Sequence, residues 1–367
     1  MTAEQVGWLR LHLTPGLGRA GLLRLQRAFG GAESILAAAP GAWKTAGVRA
    51  ALAAAVLPAD HPRVRQARRT LEQCAARLVP LGDPDYPPLL QTIHDPPALL
   101  YLRGELPDAP ALAVVGARRA SEAGRRFATE VCCELAASGI VIVSGLARGI
   151  DTAAHRGALT GGGPTVAVLG CGIDRIYPQE NIHLAEEVIG NGAILSEYPP
   201  GTEPLPGHFP GRNRIISGLS QGVMVVEAAE ESGSLITADF ALEQGREVFA
   251  VPAPVYSATG SGVNRLLKDG AHLVTAAKDI LEVLHIVRRP ELAAADPFAG
   301  TLDGDALALY RTLSEEPRHV DELARKCGLT PMEVSAILLH LELQGGVEQL
   351  PGMRYVRRQC LRTRVGA

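Results

Sequence analysis

The 367-residue chain is long enough for two or three domains, and its composition of 47% hydrophobic and 20% charged residues excludes an intrinsically disordered protein. Its net charge of −3 divides into +5 over residues 1–104 and −8 over residues 105–285, so bulk charge does not indicate nucleic-acid binding. The sequence shows no secretory signal, no membrane-length apolar run and no paired spacing of its six cysteines, which predicts a cytoplasmic protein with reduced thiols and no zinc site.

Residues 1–80 predict a small all-α domain, because Ala, Leu and Arg recur there at helical spacing. Gly30-Gly31 and Pro40-Gly41 separate the helices. The turn at residues 13–18 fits a SAM-like or helix-hairpin-helix-like domain, in which backbone N–H groups of the hairpin face a nucleic-acid phosphate. It fits a plain helix-turn-helix of a small bundle as well, and the sequence leaves both interpretations open.

Residues 81–285 predict a Rossmann-like domain with a proline-rich lead-in. The lead-in, residues 81–110, contains too much proline for an interior helix and is expected to pack on the domain that follows. Apolar strands then alternate with amphipathic helices, which predicts a doubly wound, parallel α/β sheet with its ligand site at the carboxyl ends of the strands. The predicted strands are 111–116, 140–144, 164–169, 193–196, 222–227, 247–251 and 272–274.

The last part of the chain predicts a separate small domain. Residues 286–302 are expected to form a linker, since prolines and alanines replace the helical pattern. Residues 303–367 then give three short helices and a hairpin, an order that resembles a winged helix, and end in a basic tail. Arginines of this region stand at 354, 357, 358, 362 and 364.

Several turns that follow predicted strands combine glycine with arginine, serine or asparagine. The richest are residues 116–121, 144–151 and 206–220. A helix that begins after such a turn points free backbone N–H groups at an anion, glycine lets a phosphate approach the backbone, and arginine adds charge-assisted hydrogen bonds. Several such turns along one sheet edge predict a ligand with several phosphates. In Arg212-Asn213-Arg214 one arginine is expected to brace neighbouring loops and at least one to reach the ligand.

Enzyme and cofactor signatures are absent from the sequence. The turn at residues 170–172 lacks the third glycine of a dinucleotide-binding loop, and neither a Walker A loop nor a Ser-His-Asp signature occurs. Asp151, Glu227 and Asp239 are candidate carboxylates, but each has a simpler role in pairing with Arg148 or His155, ending a strand or lying on a helix surface. We therefore expect no cofactor, no metal and no catalytic activity.

The motifs together resemble the DprA/Smf family of DNA-processing proteins, over nearly the whole chain. The stretches that carry the resemblance, in this order, are 86–90, 95–97, 115–118, 144–151, 209–218, 232–238, 243–246 and 264–271. The resemblance implies a non-catalytic protein that binds single-stranded DNA without sequence preference and protects incoming strands. It further implies a homodimer formed through the Rossmann-like domain and the loading of RecA recombinase during natural transformation, in competent cells.

The candidate nucleic-acid-binding residues lie in the glycine-rich turns and the helix starts that follow them. They are Gly116, Arg118, Ser121, Ser144, Gly145, Arg148, Gly170, Gly172, Gln179, Asn181, Arg212, Asn213, Arg214, Gly233, Ser234 and Thr237. Two positions depart from the family pattern. Ala117 stands where the family has a hydroxyl residue, and Gln179 stands where it often has a lysine, so the site is expected to depend more on its arginines.

Two other functions compete with this interpretation. Rossmann-like nucleotide phosphoribohydrolases share the general architecture, but residues 230–234 lack their Pro-Gly-Gly-x-Gly-Thr loop. A regulator of double-stranded DNA would use the winged helix, but the expected recognition helix at 331–342 contains two glutamates and no lysine or arginine.

Overall fold

The structure, a computed structural model, describes residues 1–257, 259–286, 298, 302–313 and 317–357. The chain forms two compact units, Met1–Arg289 and Pro290–Ala367. The predicted linker lies almost entirely outside the described residues, and so do the tail arginines at 358, 362 and 364. In the part that is described, no helix is both long and apolar enough to cross a membrane.

The first unit begins with short helices around two buried tryptophans, Trp8 and Trp43. Thr2 starts the first helix with a reciprocal capping box to Gln5. The helices are α1 (Ala3–His12), α2 (Arg19–Phe29), α3 (Ala32–Ala37), α4 (Pro40–Thr45), α5 (Ala51–Ala54) and α6 (Pro62–Gln73). Residues 77–80, which were predicted to be helical, form a strand of the following sheet instead.

One nine-stranded sheet forms the centre of this unit. Its strands are β1 (Arg77–Pro80), β2 (Leu99–Gly104), β3 (Ala111–Val115), β4 (Val141–Ser144), β5 (Thr165–Gly172), β6 (Gly192–Tyr198), β7 (Gly222–Val225), β8 (Glu247–Ala250) and β9 (His272–Leu273). β3, β4, β5 and β7 are buried along their whole length, as expected for strands covered on both faces. The doubly wound α/β sheet predicted from the sequence is confirmed.

The strand order places the ligand crevice. The order is β1-β2-β6-β5-β4-β3-β7-β8-β9, and every pair from β6 to β9 is parallel. The chain moves outward from β3 to β6 and then returns to place β7 on the other side of β3. Such a reversal opens a crevice at the carboxyl ends of the strands, where ligands bind in open α/β sheets.

Helices cover both faces of the sheet. They are α7 (Pro88–Gln91), α8 (Glu122–Ala137), α9 (Ile150–Thr160), α10 (Ile182–Gly190), α11 (His208–Gly218), α12 (Gly233–Glu243), α13 (Ser261–Lys268) and α14 (Ala277–Val283), with a short 3₁₀ turn at Gln179–Asn181. α11 and α12 begin at the carboxyl edge and carry five of the polar candidate residues, Arg212, Asn213, Arg214, Ser234 and Thr237.

Two strands were not predicted from the sequence: β1, at the end of the region predicted to be helical, and β2, in the lead-in. β1 and β2 pair antiparallel, and β2 pairs antiparallel with β6. The five residues Ala98–Leu102 are buried, yet prolines at 96 and 97 and the shortness of the run hide the strand pattern. The division into three domains and a linker that was drawn from the sequence stays a prediction.

The second unit has the order of a winged helix. It contains α15 (Gly304–Thr312), β10 (Arg318–His319), α16 (Val320–Cys327), α17 (Pro331–Leu343), β11 (Val347–Leu350) and β12 (Arg354–Arg357). Thr330 and Glu333 form a capping box at the start of α17. A small core of its own, including Leu323, Leu338 and Leu341, holds these elements together. The predicted winged helix is confirmed.

Candidate nucleic-acid interface

A cavity of about 400 Å³ lies at the sheet reversal beside β3. The end of β3, the turn before α9 and the starts of α11 and α12 surround it. Its lining combines cationic, hydroxyl and aromatic groups with apolar walls, and includes Arg118, Phe209, Arg212 and Thr237. The position is the one that strand order alone selects for a ligand.

The start of α12 forms one wall of this cavity. Ser232 caps the helix, accepting from the backbone N–H of Ser234 at 3.4 Å, and its hydroxyl lies 2.7 Å from the Ser234 hydroxyl. A Cβ at Gly233 would meet nothing within 4 Å, so the space in front of the helix is open. Helix α12 therefore presents the positive end of its dipole to a cavity that a phosphate can approach closely.

Arg118 and Phe209 form the opposite rim. The Arg118 guanidinium lies 5.1 Å from the centre of the Phe209 ring, and the side chain is exposed with no hydrogen bond or ion pair in the described part of the chain. Tyr177 is 43% exposed, and its ring centre is 5.9 Å from that of Phe209. An arginine held only by a ring face, beside two accessible aromatic rings, is available to a phosphate and a base.

Arg212 forms the floor. Its Nη1 donates to the carbonyl of Gly145 at 2.8 Å and also to that of Val168, so one side chain ties the ends of β4 and β5 to α11. Burial lowers the pKa of Arg212, against the opposing effect of Asp151, and burial raises the pKa of Asp151. Gly145 is required here, because a Cβ would overlap the guanidinium.

Two buried polar atoms at this cavity have no hydrogen-bond partner among the described residues. They are Nε of Arg212 and Oγ1 of Thr237. An unpaired buried donor costs about 1–3 kcal/mol. Both residues line the cavity, so a ligand oxygen there offers the partner that the protein does not.

A smaller recess of about 50 Å³ adjoins the cavity. Gly145 and Arg148 line it, together with Tyr177 and Phe209. Arg148 forms a two-bond pair with Glu180, 2.8 Å for each bond. Because the pair is more than half exposed, it is weak enough to be exchanged for a phosphate.

Nine of the sixteen candidate residues line the cavity or the recess. They are Gly116, Arg118, Gly145, Arg148, Arg212, Asn213, Gly233, Ser234 and Thr237. Their role as a nucleic-acid site remains a proposal.

Four polar candidates are engaged by the protein itself and are corrected here. Ser144 donates to the carbonyl of Val114, and Asn181 donates to Leu146 and Thr152. Ser121 caps α8 and bonds to Glu227. Arg214 is 4% exposed and pairs with Glu197 and Asp95. Arg214 thus braces α11, as expected for one arginine of the motif, and Arg212 is buried to a similar extent.

The remaining candidates lie outside both spaces. A Cβ at Gly170 would lie 2.9 Å from the Phe209 ring, and one at Gly172 would lie 2.6 Å from the Asp174 carboxylate, so both glycines serve close packing. Gln179 is exposed at the start of the 3₁₀ turn and lines neither space.

Neither Phe209 nor Tyr177 is among the site residues predicted from the sequence. Phe209 stands in the Phe-Pro-Gly sequence directly before Arg212, so the signal was present. In a chain with only 4% aromatic residues, an aromatic side chain in the densest polar motif marks a binding surface.

The candidate carboxylates have structural partners. Glu227 accepts from the backbone N–H of Ser121 at 3.0 Å and from the Ser121 hydroxyl. Asp151 accepts from the backbone N–H groups of Gly145 and Ala147, rather than pairing with Arg148 or His155. Burial lowers the pKa of His155 to about 3, and its Nδ1 lies 2.8 Å from Thr165 Oγ1. In the described residues, no group of three or more His, Cys, Asp or Glu could hold a metal ion.

The fold is that of a Rossmann-like protein that carries a winged helix. A family model described as DNA recombination-mediator protein A matches residues 77–285, and a DprA winged helix domain matches residues 293–353. The chain belongs to this DNA-processing protein A family, DprA/Smf.

Relatives and solved structures agree with this assignment. Protein Smf of Escherichia coli K12 is 43% identical over 295 residues, which are 78% of this chain and 79% of that protein. The X-ray structure of DprA from Streptococcus pneumoniae has a TM-score of 0.65 at 37% identity, over 77% of this chain and 98% of that one. A DprA structure from Helicobacter pylori, which concerns the single-stranded DNA binding mode of that protein, has a TM-score of 0.52 at 32% identity, over 57% and 95%.

The bracing role of Arg214 predicts a large loss of stability on its removal. Arg214→Ala leaves the carboxylates of Glu197 and Asp95 without their buried partner, which costs about 3–5 kcal/mol. Urea unfolding followed by circular dichroism measures the loss. Arg126→Ala, which removes an exposed pair with Glu130, is the control and is expected to leave the midpoint unchanged. Equal midpoints for the two variants would contradict the bracing role.

Proposed function

We propose that this protein binds single-stranded DNA without sequence preference, holding the strand at the cavity beside β3. The observation that carries the proposal is that three features meet at one opening. They are the start of α12, the Arg118 guanidinium, which has no ion pair among the described residues, and the accessible rings of Phe209 and Tyr177. The first two suit a phosphate and the third suits a base. The Helicobacter pylori relative, a protein characterised for its single-stranded DNA binding, supports the choice of ligand.

Phosphate is the group that the cavity floor suits best. The backbone N–H groups at the start of α12, the Thr237 hydroxyl and Nε of Arg212 are all donors. Charge-assisted bonds from such donors to an anion are about twice as strong as neutral ones. None of these groups is arranged to read the edge of a particular base, so affinity is expected to be independent of sequence and to fall steeply with salt.

The aromatic rim favours single strands over duplexes. A base can stack on Phe209 or Tyr177 only if its own faces are free, and stacking contributes about 1–3 kcal/mol per base whatever its identity. The second unit is a weaker candidate for duplex binding, since α17 has no lysine or arginine and exposes Met332, Leu339 and Leu343. A major-groove reader needs hydrogen-bonding or basic side chains at these positions.

The wider cellular role follows the family. We propose that the bound strand is protected and passed to RecA recombinase during natural transformation, in the cytoplasm of competent cells. The family description as a recombination mediator supports this role. Binding through phosphates leaves most base edges free for a second protein to pair, which a strand-transfer mediator requires.

The proposed function is binding without catalysis. General acid–base catalysis needs a carboxylate within hydrogen-bond reach of the reacting atom. Glu227 is turned toward Ser121, and Asp151 accepts from two backbone N–H groups below Arg212. Asp239 is exposed on α12. These geometries support phosphate holding, because the Glu227 carboxylate and the Asp151 carboxylate that lines the cavity both accept hydrogen bonds from the protein itself.

Arg118→Ala is expected to weaken single-stranded DNA binding without unfolding the protein. The substitution removes one charge-assisted contact, worth about 1.5–3 kcal/mol, or roughly 10- to 150-fold in affinity. A filter-binding titration over a salt series, with single- and double-stranded oligomers, measures the change. Arg126→Ala, an exposed arginine on α8 away from the cavity, is the matched control. Unchanged affinity in a folded Arg118→Ala variant would remove Arg118 from the site.

Incubation with nucleoside monophosphates and with labelled single strands is expected to give no turnover. The reason is that the Glu227 carboxylate accepts from the backbone N–H and the hydroxyl of Ser121. Product analysis by chromatography provides the measurement. Turnover that disappears in Glu227→Gln would overturn binding without catalysis and favour the hydrolase interpretation.

We also propose a homodimer formed at the β8–β9 edge of the sheet. Three apolar side chains stand exposed there: Val255 at 83%, Tyr256 fully and Leu273 at 53%. Apolar groups clustered at a sheet edge suit burial against a second copy. Leu273→Arg is expected to give a monomer by light scattering, whereas Met332→Arg, at an exposed apolar position on α17, is expected to leave the mass unchanged. A dimeric Leu273→Arg variant would contradict this surface.

A further inference from the structure

Arg19, at the start of α2, borders the rim of the cavity. Its guanidinium lies 3.4 Å from Asp95, half of the side chain is exposed, and a Cβ on Gly211 would lie 3.0 Å from its Nη1. Gly211 follows Pro210, which lines the cavity. Asn213, two residues further along α11, donates instead to the carbonyl of Gly233 on α12. Since residues two apart point to opposite sides of a helix, Arg19 flanks α11 on the side away from α12.

Arg27 extends the positive charge along the same helix. It is exposed, and its Nη2 donates to the carbonyl of His94 at 3.3 Å. Eight residues of α-helix separate Arg19 from Arg27, about 12 Å along the axis, and both side chains reach residues 94–95. The His94 side chain is exposed beside them. Arg19, Arg27 and His94 are called the α2 basic surface.

The neighbouring carboxylates do not neutralise this surface. Asp95 and Glu197 both pair with the buried Arg214, at 3.3 and 2.6 Å. Among the described residues, Arg19 pairs with Asp95 alone, a carboxylate that also pairs with Arg214, and Arg27 has no ion pair. The excess is consistent with the charge of the chain, +5 over residues 1–104 against −8 over residues 105–285.

We propose that a single strand leaving the cavity crosses the start of α11 and lays its next phosphates on the α2 basic surface. The inference rests on the proposed function and extends it, because it assigns DNA contact to the N-terminal helices. Arginines on a phosphate track add affinity for longer strands and increase the salt dependence of binding, while contributing nothing to a strand short enough to stay in the cavity.

The test compares variants of the full chain on oligothymidylates of about 4 to 20 nucleotides. The Arg27→Gln variant loses one charge and, of the bonds within the protein, only the hydrogen bond to the carbonyl of His94. The double variant, Arg19→Gln with Arg27→Gln, loses both charges. Arg24→Gln is the matched control, since Arg24 lies on the same helix and donates to Gly47 instead. We expect the double variant to bind the shortest strands like the unsubstituted chain, to lose about tenfold on the longest, and to lower the salt slope by about 0.7 per arginine.

Three results would overturn the proposal, and they are distinguishable. Wild-type affinity and salt slope on long strands in both variants would exclude the α2 basic surface and leave the cavity in place. Equal losses on strands of every length, with a lowered unfolding midpoint in the double variant and no loss in Arg27→Gln, would show that Arg19 only braces the helices against Asp95. Failure of the unsubstituted chain to bind any oligothymidylate would overturn the proposed function as well.

Discussion

The buried guanidinium of Arg212 is the interaction on which the cavity depends. A buried charge is costly unless it is hydrogen-bonded, and Arg212 meets this demand by bonding to carbonyls at the ends of β4 and β5. Those bonds fix the start of α11 over the carboxyl edge of the sheet. Phe209 and Asn213, which lie on either side of Arg212 in the same helix, take their places from it. Gly145 is glycine for the same reason, since any side chain there would displace the guanidinium.

Three consecutive polar residues of α11 contact three different parts of the fold, because successive helical residues point about 100° apart. Arg212 turns to the strand ends, Asn213 reaches the carbonyl of Gly233 at 3.1 Å, and Arg214 turns away to Glu197. The motif thus joins the sheet, α12 and the lead-in around one helix start. Arg118, on a different element, is exposed and has no ion pair among the described residues, so its charge is free for a ligand.

The sequence was sufficient to predict the parallel sheet and the edge that bears the cavity, because uninterrupted apolar strands and glycine-rich turns are local signals. It was not sufficient for β1 and β2, whose pairing is antiparallel and whose strands are short or follow prolines. At the site, the residue types were predictable and their orientation was not. Arg212 and Arg214 stand two positions apart in one motif, and only the packing of α11 shows which of them faces the cavity.

The departure from the family pattern at Gln179 bears on the charge of the site. Gln179 supplies no cation and lies outside both spaces, and Glu180 beside it pairs with Arg148. The recess lined by Arg148 therefore carries less positive charge than its arginines alone suggest. With residues 105–285 at −8, a polyanion needs attraction from elsewhere, and residues 1–104, at +5, include Arg19 beside Gly211 of α11. Long-range attraction of this kind acts on the association rate and is screened by salt. The net charge of the whole chain is uninformative. Its positive part, in residues 1–104, lies where a DNA strand crossing α11 would meet it.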